Sequence, residues 1–274
     1  MRYAVTVVAP PKYVHAAAFL EIAETLDAGL RSLGHDSTLT AEGNISWRQH
    51  IVLGANLLPL YRIDVARDAI LYNLEQIEVG SDWLTTEYLD LLRAHRVWDY
   101  SERNAERLEK LGIRVEAVLP IGYAECLTRI EHREKDIDVL FYGSFNPRRK
   151  HLIGDIRALG IGVEAHFGLY GKPRDQLIAR SRIVLNAHFY ESKVLEMARI
   201  SYLLANRCVV LSETSADPEE DARLLGAVAF ASYDDLPARA CELLVNEAER
   251  QTLAARGFEL MRSRRIEPLL ARVL

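Results

Sequence analysis

Cysteine is scarce in this chain of 274 residues: there are three, Cys126, Cys208 and Cys241, far apart from one another. An odd count with no C-x-x-C spacing excludes a disulfide framework and a thiolate metal site, and fits core thiols in a reducing cytosol. Long apolar runs are also missing. No stretch nears the ~18 uninterrupted apolar residues of a membrane-crossing helix. The apolar part of the opening MRYAVTVVAPPK is too short for a secretion signal. A cationic excess is lacking too: 34 Lys and Arg stand against 39 Asp and Glu, a formal net charge of -5. That argues against a nucleic-acid partner, which needs a basic face. No G-x-G-x-x-G follows the first strand-like segment, so a dinucleotide is disfavoured there. These absences lead to the expectation of a cytoplasmic globular protein without a transmembrane segment.

What is present is apolar content and alternation. Hydrophobic residues make up 49% of the chain and charged residues 27%, mixed in sign. That suffices for a sizeable core in one large or two small domains. Short apolar runs at Tyr3–Val8, His50–Leu53, Asp68–Tyr72 and Val115–Leu119 alternate with helical patterns at 14–33, 81–95 and 104–111. This is the βαβ grammar of a doubly wound sheet. A polar, charged stretch at 125–135 marks a linker, with a boundary near Arg133. The alternation resumes with Asp138–Tyr142 and Val163–Phe167. The expected domains are 1–133 and 134–274.

The most informative stretch is RIVLNAHFYESKVLEMARISYLLANRCVVLSE, residues 182–213. It reads as strand, loop, helix, strand. Ser192 is the expected N-cap and the helix is expected from Lys193 to about Ala205. Glu196 would lie one turn into that helix. It is either a solvated partner of Arg199 at i+3 or a carboxylate aimed at a ligand at the strand's carboxyl end.

This segment resembles the donor-binding half of GT-B glycosyltransferases of the group 1 type. In that family a helix carrying E-A-x-A-x-G-x-P-V-V builds the nucleotide-sugar site. The matching run here is Glu196-Met197-Ala198 through Arg207-Cys208-Val209-Val210. Many members carry two glutamates eight positions apart, the second on the ribose. Glu196 matches the second, His188 stands where the first would be, and Glu191 lies five positions upstream of Glu196. The resemblance covers roughly 136–213. It implies an α/β protein of two Rossmann-like domains, GT-B type, with an abbreviated N-terminal domain. The implied activity is metal-independent transfer of a hexose-like sugar, with a nucleotide-diphosphate sugar as donor substrate and no further cofactor. The acceptor would bear a hydroxyl on a glycan, a lipid-linked molecule or a protein.

The remaining candidates follow strand ends. Gly143-Ser144-Phe145-Asn146-Pro147 followed by Arg148-Arg149-Lys150 reads as a diphosphate cradle at a helix start. Cations there oppose the helix dipole, a conflict that a bound anion would relieve. The donor-side candidates are thus Ser144, Asn146, Arg148, Arg149, Tyr170 (for stacking on a base), His188, Glu191, Ser192, Lys193 and Glu196. On the acceptor side, His15 in the loop after the first strand, or else Glu75 in Tyr72-Asn73-Leu74-Glu75-Gln76, would take the acceptor proton. Each has a plain alternative: His15 packed on Tyr13, Glu75 in a polar loop cap. Two rival functions share the scaffold, a nucleotide-sugar epimerase and a non-catalytic binding partner subunit. Arg262, Arg264 and Arg265 ahead of an apolar tail helix add an expected return to the first half or, alternatively, a peripheral membrane contact.

Overall fold

The computed structural model describes every residue except Val79, Gly80, Asp82, Glu191 and Ser192. The chain divides into two compact units, Met1–Cys126 with Arg264–Leu274, and Leu127–Ser263.

In the first unit the strands are β1 (Arg2–Val7), β2 (Asp36–Thr40), β3 (Gln49–Leu53), β4 (Ile70–Asn73), β5 (Arg96–Asp99) and β6 (Ala117–Val118). The helices are α1 (Leu20–Ser32), α2 (Leu57–Tyr61), α3 (Thr86–Ala94), α4 (Glu102–Lys110) and the C-terminal α11 (Ile266–Leu270). All six strands are parallel, in the order β2-β1-β3-β4-β5-β6. Both faces are therefore covered, and the strands read as continuous apolar runs. One face buries Tyr3, Val5, Ile51, Tyr72 and Trp98 with Leu26 and Leu30 of α1. The other buries Val52, Leu71 and Val97 with Tyr88, Leu92 and Leu108.

Two helix expectations need correction. Residues 14–33 do not form one helix. Val14–Phe19 is a 3-10 turn and the α-helix begins at Leu20. The helix expected from 81 starts at Thr86, where the Thr85 hydroxyl accepts from Tyr88 N at 3.2 Å.

The tail returns to this unit. Ile266 N donates to Tyr123 O and Tyr123 N to Arg264 O. α11 seats Ile266 and Leu270 against α1 at Gly29, where a Cβ would come within 2.7 Å of Ile266. A glycine in mid-helix, ordinarily unfavourable, is the condition for this close approach.

The second unit holds β7 (Ile137–Tyr142), β8 (Val163–His166), β9 (Ser181–Asn186), β10 (Val210–Glu213) and β11 (Ala229–Ala231). Its helices are α5 (Pro147–Ala158), α6 (Gly171–Arg180), α7 (Met197–Ala205), α8 (Pro218–Ala222), α9 (Leu236–Val245) and α10 (Glu247–Ser263). The sheet is again parallel, in the order β11-β10-β9-β7-β8. Val139, Phe141, Ile183, Leu185 and Leu211 pack against Leu152, Ile156, Leu236 and Leu243. Both sheets are doubly wound, and each reverses direction once: between β1 and β3, and between β7 and β9. At such a switch point the loops leaving two neighbouring strands go to opposite faces and open a crevice at their carboxyl ends. Among the described residues no helix is long and apolar enough to cross a membrane.

Candidate functional site

The β7/β9 switch point gathers the strongest polar cluster of the second unit. β9 ends in Asn186, which is fully buried. Its Nδ2 donates to Glu196 Oε2 at 2.9 Å and to Ser212 Oγ at 3.0 Å, and its Oδ1 accepts from Arg199 at 3.0 Å. Glu196 also receives Arg149 at 3.3 Å, and His188 Nδ1 stands 3.1 Å from its Oε2. The imidazole is oriented off the line of a good hydrogen bond, so charge rather than directional bonding holds that contact. Glu196 does not lie one turn into a helix. It is the N-cap residue of α7, its carbonyl accepting from Arg199 N and Ile200 N. The apolar spacing from Val194 onward mimics a helix, but Lys193 has φ 49° and the chain stays irregular to Glu196.

A second carboxylate lies beside it. Glu213, the last residue of β10, is wholly buried. Arg148 grips it in a two-pronged ion pair, one prong 2.7 Å long. Lys193 Nζ lies 3.3 Å away and His188 N donates at 3.2 Å. Burial alone would raise the pKa of both glutamates. For Glu196, His188, Arg199 and Arg149 outweigh it, and for Glu213, Arg148 and His188 do, so both sit below the usual carboxylate range. For His188 burial opposes the charge, yet Glu196 and Glu213 carry the pKa above its ordinary value. The two glutamates are thus held as carboxylates, and they bias the imidazole toward its charged form.

The structure brings together most of the expected donor-side residues. Asn146 caps α5, accepting from Arg149 N at 2.8 Å and donating to Phe189 O at 2.8 Å. Ser144 contributes its carbonyl to Arg149 at 2.9 Å. Arg149 is buried against Phe141 and Phe189 and also donates to Ala187 O. Burial lowers its pKa to about 10. The conflict between Arg148, Arg149 and the α5 dipole is met inside the fold, by Glu213 and Glu196. The cations with capacity left are Lys193, whose side chain is 42% exposed, and Arg199, whose guanidinium spends one bond on Asn186. Tyr170 occupies the N-cap of α6 without capping it. Glu191 and Ser192 lie outside the described residues.

Sequence reasoning missed Asn186, Arg199 and Glu213. The available signal was position: Asn186 and Glu213 each end an apolar strand, where a polar residue has no packing reason to be. It also passed over the triplet Asp136-Ile137-Asp138. Those carboxylates pair with Arg180 and Arg182 near the opposite end of the sheet. Among the described residues no cluster of His, Cys, Asp and Glu could hold a metal ion.

In the first unit, His15 lies in the 3-10 turn, edge-on to Tyr13 with ring centroids 5.5 Å apart. Glu75 follows β4. Its carbonyl accepts from Asn73 and Asn104, fixing the loop. Its carboxylate has no hydrogen-bond partner among the described residues, and burial lifts its pKa to about 7. Beneath it runs a buried chain: Tyr88 donates to Asn73 at 2.8 Å, and Asn73 to Asp99 at 2.6 Å.

No family model matches the chain. Two uncharacterized proteins of Acanthamoeba polyphaga mimivirus are similar in sequence. One is 32% identical over 124 residues, 44% of this chain and 14% of that protein. The other is 24% identical over 189 residues, 65% of this chain and 59% of that protein. The chain therefore matches only part of either relative. Solved structures give a wider likeness. Anabaena HepE, in complex with UDP and glucose, superposes with a TM-score of 0.62 at 12% identity, covering 99% of this chain and 98% of that one. The sucrose-phosphate synthase of Thermosynechococcus elongatus gives 0.60 at 10% identity over 99% and 98%. The fold is GT-B. T4 phage BGT, a GT-B protein solved with UDP-glucose, matches at 0.53 and 13% identity over 100% of this chain and 99% of that one. The GT-B likeness thus spans both units, where the sequence resemblance rested on the second.

Proposed function

We propose that this GT-B chain is a glycosyltransferase that moves a sugar from a nucleotide-diphosphate sugar to an acceptor hydroxyl. The observation that carries this reading is the position of Glu196, a partly accessible carboxylate on the N-cap of α7 at the β7/β9 switch point. Its two oxygens offer about four acceptor sites. Asn186 and Arg149 take two, the His188 imidazole crowds another by charge, and the remainder suits one hydroxyl of a ribose diol. Lys193 and Arg199 supply the charge for the diphosphate, while Arg148 and Arg149 position the carboxylates. Structural neighbours solved with UDP or UDP-glucose support the ligand class.

In the reaction the bond from the anomeric carbon to the diphosphate oxygen breaks and the nucleoside diphosphate leaves with the electron pair. A new bond forms to the acceptor oxygen, whose proton passes to a base. Glu75 fits that role better than His15, because its carboxylate is uncommitted and near neutral pKa. The residues named need no catalytic metal and no further cofactor, so EDTA should leave turnover unchanged. The test is calorimetry with UDP and GDP. Binding of one of them at micromolar level, weakened at least tenfold by Glu196→Ala in a folded protein, is the expected result. Equal affinity in the variant would remove Glu196 from the site.

A further inference from the structure

The second unit has a cavity of about 490 Å³ at the opposite end of its sheet, by the amino ends of the strands. It is lined by residues at or just before the starts of β7, β9 and β10 and by the first turns of α10, whereas Glu196 and Glu213 sit at carboxyl ends. α7 separates the two regions: Glu196 caps its start, and Asn206 and Arg207 follow its end, roughly 13 Å along the axis. Four cations, Lys135, Arg182, Arg207 and Arg250, face this cavity together with His132. Two acids, Glu134 and Glu247, stand exposed on the rim.

Counter-charge is short. Arg182 pairs with Asp138 at 2.7 Å. Among the described residues Lys135, Arg207 and Arg250 have no carboxylate partner. Lys135 donates to His132 Nδ1 and to Ala179 O, both at 2.8 Å. Arg250 donates to Leu243 O and, at 2.6 Å, to Leu244 O. His132 contacts Asn206 O at 2.7 Å. These are carbonyls at or next to the C-terminal ends of α6, α9 and α7, so part of the cationic set caps helices.

Capping does not use up the donors. An ammonium has three N–H groups and a guanidinium five. Among the described residues Lys135 retains one, Arg250 its Nε and second terminal nitrogen, and Arg207, placed over the Phe258 ring at 3.6 Å, all of its own. Burial and the neighbouring positive charge both act on the group: desolvation lowers the Lys135 pKa, and Lys135 and Arg207 together help lower that of His132. Val209 and Ala254 give the cavity an apolar wall.

We infer that this cavity is a second binding site, for a small phosphate-bearing anion, with Arg207, Arg250 and Lys135 as its contacts. A dianion would supply the missing counter-charge and accept the unspent N–H groups. The volume also leaves room for a small organic group on the phosphate. The site is independent of nucleotide binding at Glu196.

The test is calorimetric titration of the full chain with inorganic phosphate, alone and with saturating UDP. Wild type should bind phosphate with unchanged affinity in either condition. Arg207→Gln, at an exposed position and with its fold checked by circular dichroism, should weaken binding at least fivefold, and Glu196→Gln should not. Lys135→Met serves as a second variant with the same expected loss. Phosphate binding that Arg207→Gln and Lys135→Met leave untouched, that UDP abolishes, or that wild type lacks would overturn the proposal. Should neither UDP nor GDP bind, the glycosyltransferase reading falls while the phosphate titration still decides this one.

Discussion

His188 and Glu196, eight residues apart, meet side chain to side chain, with Nδ1 3.1 Å from Oε2. Many members of the family resembled carry the first of two glutamates at the histidine's position. Here the same spacing yields an ion pair. The His188 pKa is raised above 6.5, so its stabilising contribution is fully present below that value and is lost as pH rises through the folded pKa. Urea unfolding of wild type and His188→Gln between pH 6 and pH 9 should show the wild-type advantage shrinking with rising pH. An advantage that is flat or grows would mean the imidazole is neutral in the fold.

Arg148 and Glu213 form the buried counterpart of that pair, the carboxylate having no exposure. Arg148→Met leaves Glu213 without its main partner and should cost about 3 kcal/mol, whereas Arg148→Met with Glu213→Leu should recover most of the loss. Equilibrium denaturation of the two single variants and the double variant gives the coupling directly. Additive losses would show the pair to be unimportant.

Glu75 trades stability for reactivity. Its folded pKa of about 7 exceeds the ordinary 4.5 through burial. A raised carboxyl pKa favours the fold below 4.5, and that benefit is lost as pH rises through 7. Glu75→Gln should therefore be more stable than wild type at pH 8. It should also lose about 10²- to 10⁴-fold in turnover, the usual worth of a general base. Turnover of wild type should rise through pH 7, and His15→Asn should retain most activity. Full turnover in Glu75→Gln would assign the base elsewhere.

Gly122 and Gly29 both face Ile266, with different tolerance. A Cβ on Gly122 would stand 2.9 Å from the Ile266 Cα, a backbone atom, whereas one on Gly29 meets side-chain atoms that can turn away. Gly122→Ala should cost about 1–3 kcal/mol by overpacking. Gly29→Ala should cost less, since alanine also favours the helix by up to about 1 kcal/mol. Thermal unfolding ranks the two.

Strand ends and apolar runs were legible because a buried parallel strand leaves an unmistakable local pattern, as Val139–Phe141 and Ile183–Leu185 do. The start of α7 was not. Val194, Leu195 and Met197 fit a helical stripe, and only the left-handed backbone at Lys193 and the bonds converging on Glu196 set the true boundary. Arg148 and Arg149 were read as facing a ligand, since their acceptors, Glu213 and Ala187 O, come from other strands and from a loop.

The sequence by itself determined the alternation of strand and helix and the likeness of 136–213 to a donor-binding half, because these depend on local composition and spacing. Tertiary structure decided which charges are spent and which are available. A charge's role depends on what lies within a few ångströms of it, and those neighbours are set by the order of strands in the sheet.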